Sequence, residues 1–240
     1  MKEFVFSQGW WQFLVIAIVC YFIGCINFAL IISRKKKNDI TKIGSGNPGT
    51  MNMTREFGWK VGLLTFLCDL LKGGIPTLVI WLIYKGQTFA GTDGYRVVDF
   101  MRFFAGVFIV IGHIFPVNMK FKGGKGIASS VGVFWVSLMT EAPLWGILCL
   151  AGFAGVLGLI LLTKWGSFSS LTGVTTLCIV QSILLAIRYA NSTVNAYMVC
   201  SFLLILSIAA LDWSAHHKNL LRLFAGEEHN TTLKKSSKKK

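Results

Sequence analysis

Residues 10–33 read WWQFLVIAIVCYFIGCINFALIIS, without a single Asp, Glu, Lys or Arg, and the four residues that follow are RKKK. A helix needs about 20 mostly apolar residues to cross the hydrocarbon layer of a membrane, so this run is long enough to span. It is too long for the core of a signal peptide and lacks a small-residue cleavage site, which makes it a retained first span. The cations behind it are a topological marker, because Lys and Arg are in excess on the cytoplasmic side of membrane helices.

The pattern recurs. Apolar runs at 61–84, 103–119, 126–140, 143–162, 170–188 and 194–211 follow the first. The expectation is an all-α integral membrane protein of about seven transmembrane helices. The run at 126–140 is the weakest, being short and opening GIASSVG. If it forms one re-entrant unit with the run before it, the count drops to five or six. Composition agrees: 54% of the 240 residues are hydrophobic, 14% are charged and the mean hydropathy is +0.62, which excludes an ordinary soluble domain. A net charge of +14 raises the question of nucleic acid. The cations lie between and after the apolar runs, so they point to membrane lipids and not to a nucleic-acid partner. Six cysteines sit in or beside apolar runs with no CxxC pair, and read as free buried thiols without a metal.

With seven spans and the N-terminus outside, 18 of the 24 cations fall inside, five fall outside and Lys72 lies within a span. The reading is therefore N-terminus out and C-terminus cytoplasmic. Residues 1–228 form one polytopic domain. Residues 229–240, ending in TTLKKSSKKK, form a basic, disordered tail, with contact to anionic lipid as an added role or no role beyond topology.

That orientation brings five unusual segments to one face. The first is GSGNPGTMN, residues 44–52, followed by Arg55. Its glycines let backbone amides converge on an anion, Ser45, Asn47, Thr50 and Asn52 add donors, and Arg55 grips a phosphate with two bonds. It fits neither the Walker nor the dinucleotide pattern, and alone it serves a flexible loop equally well. The second is DLLKGG, where Asp69 and Lys72 share a helix face three residues apart and can pair at membrane depth. A functional pair and a structural ion pair both satisfy that spacing. Gly73, Gly74 and Pro76 beyond it are expected to loosen or kink the helix.

The third is GHIFPVNMKFKGGKG, residues 112–126, with Lys120, Lys122 and Lys125 around Gly123 and Gly124 just before an apolar run. A helix N-terminus and three cations suit an anion, while the absence of Ser or Thr after the lysine argues against nucleotide triphosphate. His113 is a general base or, more commonly for a lone histidine, a hydrogen-bonded structural residue. The fourth is TKWGSFSS, residues 163–170, whose serines donate to a phosphate or cap the next helix. The fifth is HHKNLLRLFAGEE, residues 216–228, a short amphipathic interfacial helix on which His216 and Asn219 share a face. Five such segments on one face favour phosphate recognition beside lipid over a channel, which would carry polar stripes through several spans.

In order and spacing these motifs resemble those of the bacterial acyl-phosphate:glycerol-3-phosphate acyltransferases, over about residues 10–228. The resemblance implies a multi-pass plasma-membrane enzyme with its active site facing the cytoplasm. It would move an acyl group from acyl phosphate to the 1-hydroxyl of glycerol 3-phosphate, giving lysophosphatidic acid and inorganic phosphate, the first step of phospholipid synthesis. No cofactor, metal, acyl-CoA or acyl carrier protein is implied. Carried over by position, the catalytic set is Ser45, Asn47, Arg55, His113, Lys125, His216 and Asn219. The substrate-binding set is Gly46, Gly49, Asn52, Asp69, Lys72, Lys120, Lys122, Gly123, Gly124, Ser167, Ser170 and Glu228. Thr50-Met51 stands where Ala-Thr is usual, Lys164 replaces an arginine, and His217 and Glu227 also depart from the pattern. No serine, histidine and aspartate set is evident to take the hydroxyl proton, so a phosphate oxygen of the donor is the expected acceptor, with His113 and His216 as protein alternatives. Rival readings are another membrane transferase on a phosphorylated lipid precursor and an organic-phosphate transporter. Against the transporter stands the lack of intramembrane charge beyond Asp69 and Lys72.

Overall fold

The apolar runs become helices in the computed structural model, which describes residues 2–227. In chain order the elements are β1 (Lys2–Phe4), α1 (Phe6–Gly24), α2 (Phe28–Lys35), α3 (Thr50–Phe57), α4 (Trp59–Tyr84), β2 (Gln87–Phe89) and α5 (Val97–Ile114). After a 3-10 turn at Val117–Met119 come α6 (Ile127–Met139), α7 (Pro143–Thr163), α8 (Gly166–Arg188), α9 (Ala196–Ala215) and α10 (His217–Phe224). Among the described residues six stretches are long and apolar enough to cross a membrane, and α6, at 13 residues, is a shorter seventh apolar helix. Glu228 and the tail expected at 229–240 lie outside the described residues.

The first apolar run is not one helix. It breaks between Gly24 and Phe28, where Asn27 caps α2 by accepting the Leu30 N–H at 2.8 Å. A break at membrane depth needs donors for its carbonyls from elsewhere in the protein. Lys72 Nζ donates to Gly24 O at 3.2 Å and Ile26 O at 2.8 Å, and Asn118 Nδ2 donates to Cys25 O at 3.3 Å.

Helix α5 is the centre of the bundle, with 72% of its apolar window buried, and α7 is the most peripheral, at 11%. Helix α4 runs unbroken through Pro76. Gly73 lets α6 approach, since a Cβ there would lie 2.0 Å from Ser129 O. Gly132 of α6 answers in kind against Leu70 O, the small-residue packing that brings membrane helices together.

Helix α5 begins at Val97, six residues before the apolar reading, because its first charges are neutralised by neighbours. Asp99 accepts from Arg96 Nε at 3.0 Å, Arg102 NH2 at 2.7 Å and Tyr189 Oη at 2.6 Å, and pairs with Arg188 at 3.2 Å. Glu141, between α6 and α7, takes Arg96 at 2.8 Å and Arg102 at 2.7 Å and also pairs with Arg188. Together with the parallel pairing of β1 on β2, this network gathers the 85–96, 140–142 and 189–195 connections at one end of the bundle. The polar segments singled out above lie at the other.

Candidate active site

The glycine-rich loop is shaped by Asn52, which is 2% exposed on the first turns of α3. Its Nδ2 donates to Ile40 O at 3.3 Å and Ile43 O at 3.0 Å, and its Oδ1 accepts the Ser45 N–H at 3.0 Å. Gly44 has a positive φ of 59° and leaves that oxygen room, since a Cβ there would sit 2.1 Å from it. Gly46 also takes a positive φ, and Gly49 opens α3. The loop thus presents Ser45, Asn47, Gly49 and the start of α3 to a cavity, with Arg55 further along the same helix. Among the described residues the Arg55 side chain makes no hydrogen bond or ion pair, so its five guanidinium donors are available to a ligand.

Gly123 and Gly124 fold back on the end of α5, their N–H groups donating to Ile114 O at 2.9 Å and His113 O at 3.1 Å. A Cβ on Gly124 would lie 2.2 Å from His113 Nε2, so the ring needs that glycine. Across the ring, His113 Nδ1 is 2.7 Å from Lys72 Nζ, and Lys72 is 3.2 Å from Asp69. With the ammonium donating, Nδ1 is an acceptor and Nε2 carries the proton, so the ring presents a donor at Nε2. The expected Asp69–Lys72 pair forms, and Lys72 joins the α1–α2 break, Asp69 and His113 in one buried cluster. Asp69 and His113 nonetheless reach the cavity wall.

Lys125 points across to α10, donating to Asn219 Oδ1 at 2.6 Å. His216, 3% exposed, holds Asp212 O through Nδ1 at 2.8 Å. A carbonyl only accepts, so Nδ1 carries the proton and Nε2 keeps its lone pair. Burial, then the positive charge of Lys125, pushes the His216 imidazole down to about 4. Ser167 and Ser170 line the cavity from the first turn of α8, without capping it. The Ser170 hydroxyl donates back to Gly166 O at 2.6 Å. Lys120, Lys122, Gly46, Gly123, Gly124 and Lys72 do not line the cavity; Lys120 and Lys122 stand exposed on the preceding turn. Sequence reasoning passed over Arg222 and Lys218, which line it from α10; Arg222 lies one further step of three beyond Asn219.

The cavity measures about 1130 Å³ and has two parts. Among the described residues its wall carries at the loop end Arg55, Lys125, Lys218 and Arg222 against one carboxylate, that of Asp69, which Lys72 already pairs. From there it continues along α4, α6, α7 and α8 between apolar side chains, among them Phe66, Val131, Trp135, Phe153 and Leu177. A cationic mouth on an apolar trough fits an amphiphile with an anionic head.

A family profile described as glycerol-3-phosphate acyltransferase matches residues 14–226. The chain belongs to the glycerol-3-phosphate acyltransferase family. Relatives of that name include one from Thermoanaerobacter sp. (strain X514), 39% identical and covering 88% of this chain and 92% of the relative. Another, from Pseudothermotoga lettingae, is 32% identical over 95% of this chain and 99% of the relative. Among solved structures, the fold is similar to PlsY, an integral membrane glycerol 3-phosphate acyltransferase. Its glycerol 3-phosphate form aligns with a TM-score of 0.70 at 30% identity, covering 92% of this chain and 96% of that one. Its lysophosphatidic acid form aligns at 0.68 and 31%, covering 91% and 95%. This acyltransferase is thus a multi-pass integral membrane enzyme, and Ser45, Asn47, Arg55, Lys125, Ser167, Ser170, His216 and Asn219 line one amphipathic cavity in it.

Proposed function

We propose that the protein transfers a fatty acyl group from acyl phosphate to the 1-hydroxyl of glycerol 3-phosphate, yielding lysophosphatidic acid and inorganic phosphate. It works in the bacterial plasma membrane with the cavity mouth toward the cytoplasm. The observation that carries this reading is a cavity with four cations at one end and an apolar trough at the other. Both substrates are phosphorylated and one bears a long apolar chain, so one such cavity can hold them head to head. The forms in which PlsY was solved support the acceptor and the product.

Acyl phosphate is a mixed anhydride and already activated, so the protein's work is alignment and stabilisation of developing negative charge. The acceptor oxygen attacks the acyl carbon, the bond from that carbon to the phosphate oxygen breaks, and phosphate leaves with the electron pair. Arg55 and the loop amides near Ser45 and Asn47 hold one phosphate, and Lys125, fixed by Asn219, holds the other. The hydroxyl proton passes to a phosphate oxygen of the donor. His216, neutral with an open Nε2, is the protein alternative, whereas His113 is committed to Lys72.

The test is phosphate release by the purified protein in detergent. Release from palmitoyl phosphate is expected only when glycerol 3-phosphate is present. Arg55→Ala is expected to lower kcat/KM about ten- to hundredfold, the range for losing a hydrogen bond to a charged group. Release without the acceptor, or near-normal rates for both Arg55→Ala and Lys125→Ala, would overturn the reading.

A further inference from the structure

We propose that Gly152, with Gly155 beside it on α7, sets the length of acyl chain the enzyme accepts. This rests on the acyl-phosphate reading above. The lining of the trough runs along α6 from Gly126 to Leu138, about 18 Å at the helical rise. Its far end is crossed by Trp135, whose indole Nε1 donates to Gly146 O at 3.2 Å and so ties α6 to the start of α7. Trp145 stands at the same level.

On α7 the lining extends from Trp145 to Ile160, and Gly152 lies midway. Most other positions of that wall carry bulky side chains, such as Leu148, Phe153, Val156 and Leu159. A Cβ at Gly152 or Gly155 would meet nothing within 4 Å. Both are exposed glycines of the cavity lining, so a side chain added at either position stands at the trough wall without displacing a neighbour. A leucine at Gly152 puts its branched end into the trough at about half depth. A short chain stops before that level, while a long one must bend or leave.

Gly158 supplies the control on the same helix: its Cβ position is equally open, but it does not line the cavity. Replacing any of the three glycines raises helix propensity, which favours the fold.

The test compares kcat/KM for palmitoyl phosphate and octanoyl phosphate, with glycerol 3-phosphate as acceptor, in the wild type, Gly152→Leu, Gly155→Leu and Gly158→Leu. Gly152→Leu is expected to lower the palmitoyl value about ten- to hundredfold, the range for forcing extra volume into a packed space, and to leave the octanoyl value within about twofold. Gly155→Leu moves the ratio in the same direction, and Gly158→Leu leaves both values unchanged. Gly152→Ala, which adds one methyl into open space, moves the ratio the same way by a smaller factor and covers the case in which leucine blocks folding. An unchanged chain-length ratio in all the lining variants overturns the gauge while wild-type turnover leaves the reaction standing. A wild type that releases no phosphate from either donor overturns the reaction itself.

Discussion

Lys72→Met keeps an unbranched side chain of similar length and removes the ammonium, which isolates what that charge does. Lys72 Nζ lies 3.2 Å from Gly24 O, 2.8 Å from Ile26 O, 2.7 Å from His113 Nδ1 and 3.2 Å from Asp69 Oδ1. The Lys72 and Asp69 side chains are 2% and 3% exposed. Removing one member of a buried ion pair costs about 3 to 5 kcal/mol, and a carbonyl stripped of its donor costs about 1 to 3 kcal/mol more. Water entering from the cavity offsets part of the second cost, so the expected loss is about 5 kcal/mol. Asp69→Asn leaves the buried ammonium with three neutral acceptors and is expected to cost about 3 kcal/mol, the low end of the same range. The double variant no longer buries an unpaired carboxylate. It is therefore expected to be more stable than Lys72→Met alone by about 2 kcal/mol, roughly thirtyfold in the unfolding equilibrium. Reversible unfolding in mixed micelles with rising dodecyl sulfate, followed by tryptophan fluorescence, gives all four stabilities. A Lys72→Met protein as stable as the double variant would show that the cluster does not hold the α1–α2 break together.

Two further outcomes concern the opposite end of the bundle and the site histidine. Asp99→Asn weakens the acceptor shared by Arg96, Arg102, Arg188 and Tyr189, and is expected to cost about 3 to 5 kcal/mol in the same unfolding assay. Phosphate release per folded molecule stays unchanged, because the cationic mouth lies at the other end; a selective loss of turnover would contradict that separation. His216 is held down to about 4 when folded and titrates near 6.5 when unfolded. Between those values the unfolded chain binds the proton and the folded chain does not. Its contribution is therefore complete above pH 6.5 and declines as pH falls toward 4, by up to about 3 kcal/mol. His216→Gln should flatten that part of the stability profile, and superimposable profiles would count against the buried neutral imidazole.

The hydropathy of the chain was enough to locate α4, α7, α8 and α9 to within a few residues, because lipid-facing helices need little else to declare themselves. It missed the α1–α2 break, since residues 25–27 remain apolar or nearly so and the donors that satisfy the break come from Lys72 and Asn118, far away in sequence. It started α5 late because Asp99 and Arg102 count as polar until their partners are known. The convergence of Ser45, Asn47, Arg55, Lys125, Ser167, Ser170, His216 and Asn219 on one cavity was legible through charge topology and motif order. The division between residues that reach the cavity and residues that hold them was not. Lys72 carries donors like its neighbours, and only the folded chain shows them spent inside a buried cluster, while Asn52 lines the cavity and at the same time turns its amide donors to backbone carbonyls. Lys120 and Lys122 share the sign of Lys125 but stay on an exposed turn. The apolar trough left no motif, being built from ordinary span residues on four helices.

Asn52 gives the glycine-rich loop a property that outlasts any one substrate. Asn52 ties the loop through the Ser45 amide and the carbonyls of Ile40 and Ile43, while the Ser45 hydroxyl bonds locally, accepting the Asn47 N–H at 3.4 Å. The loop's curvature and its outward-facing chemistry are therefore inherited separately. A lineage can exchange the groups that meet a headgroup while keeping the bend that presents them, provided Gly44 and Asn52 are kept as a pair.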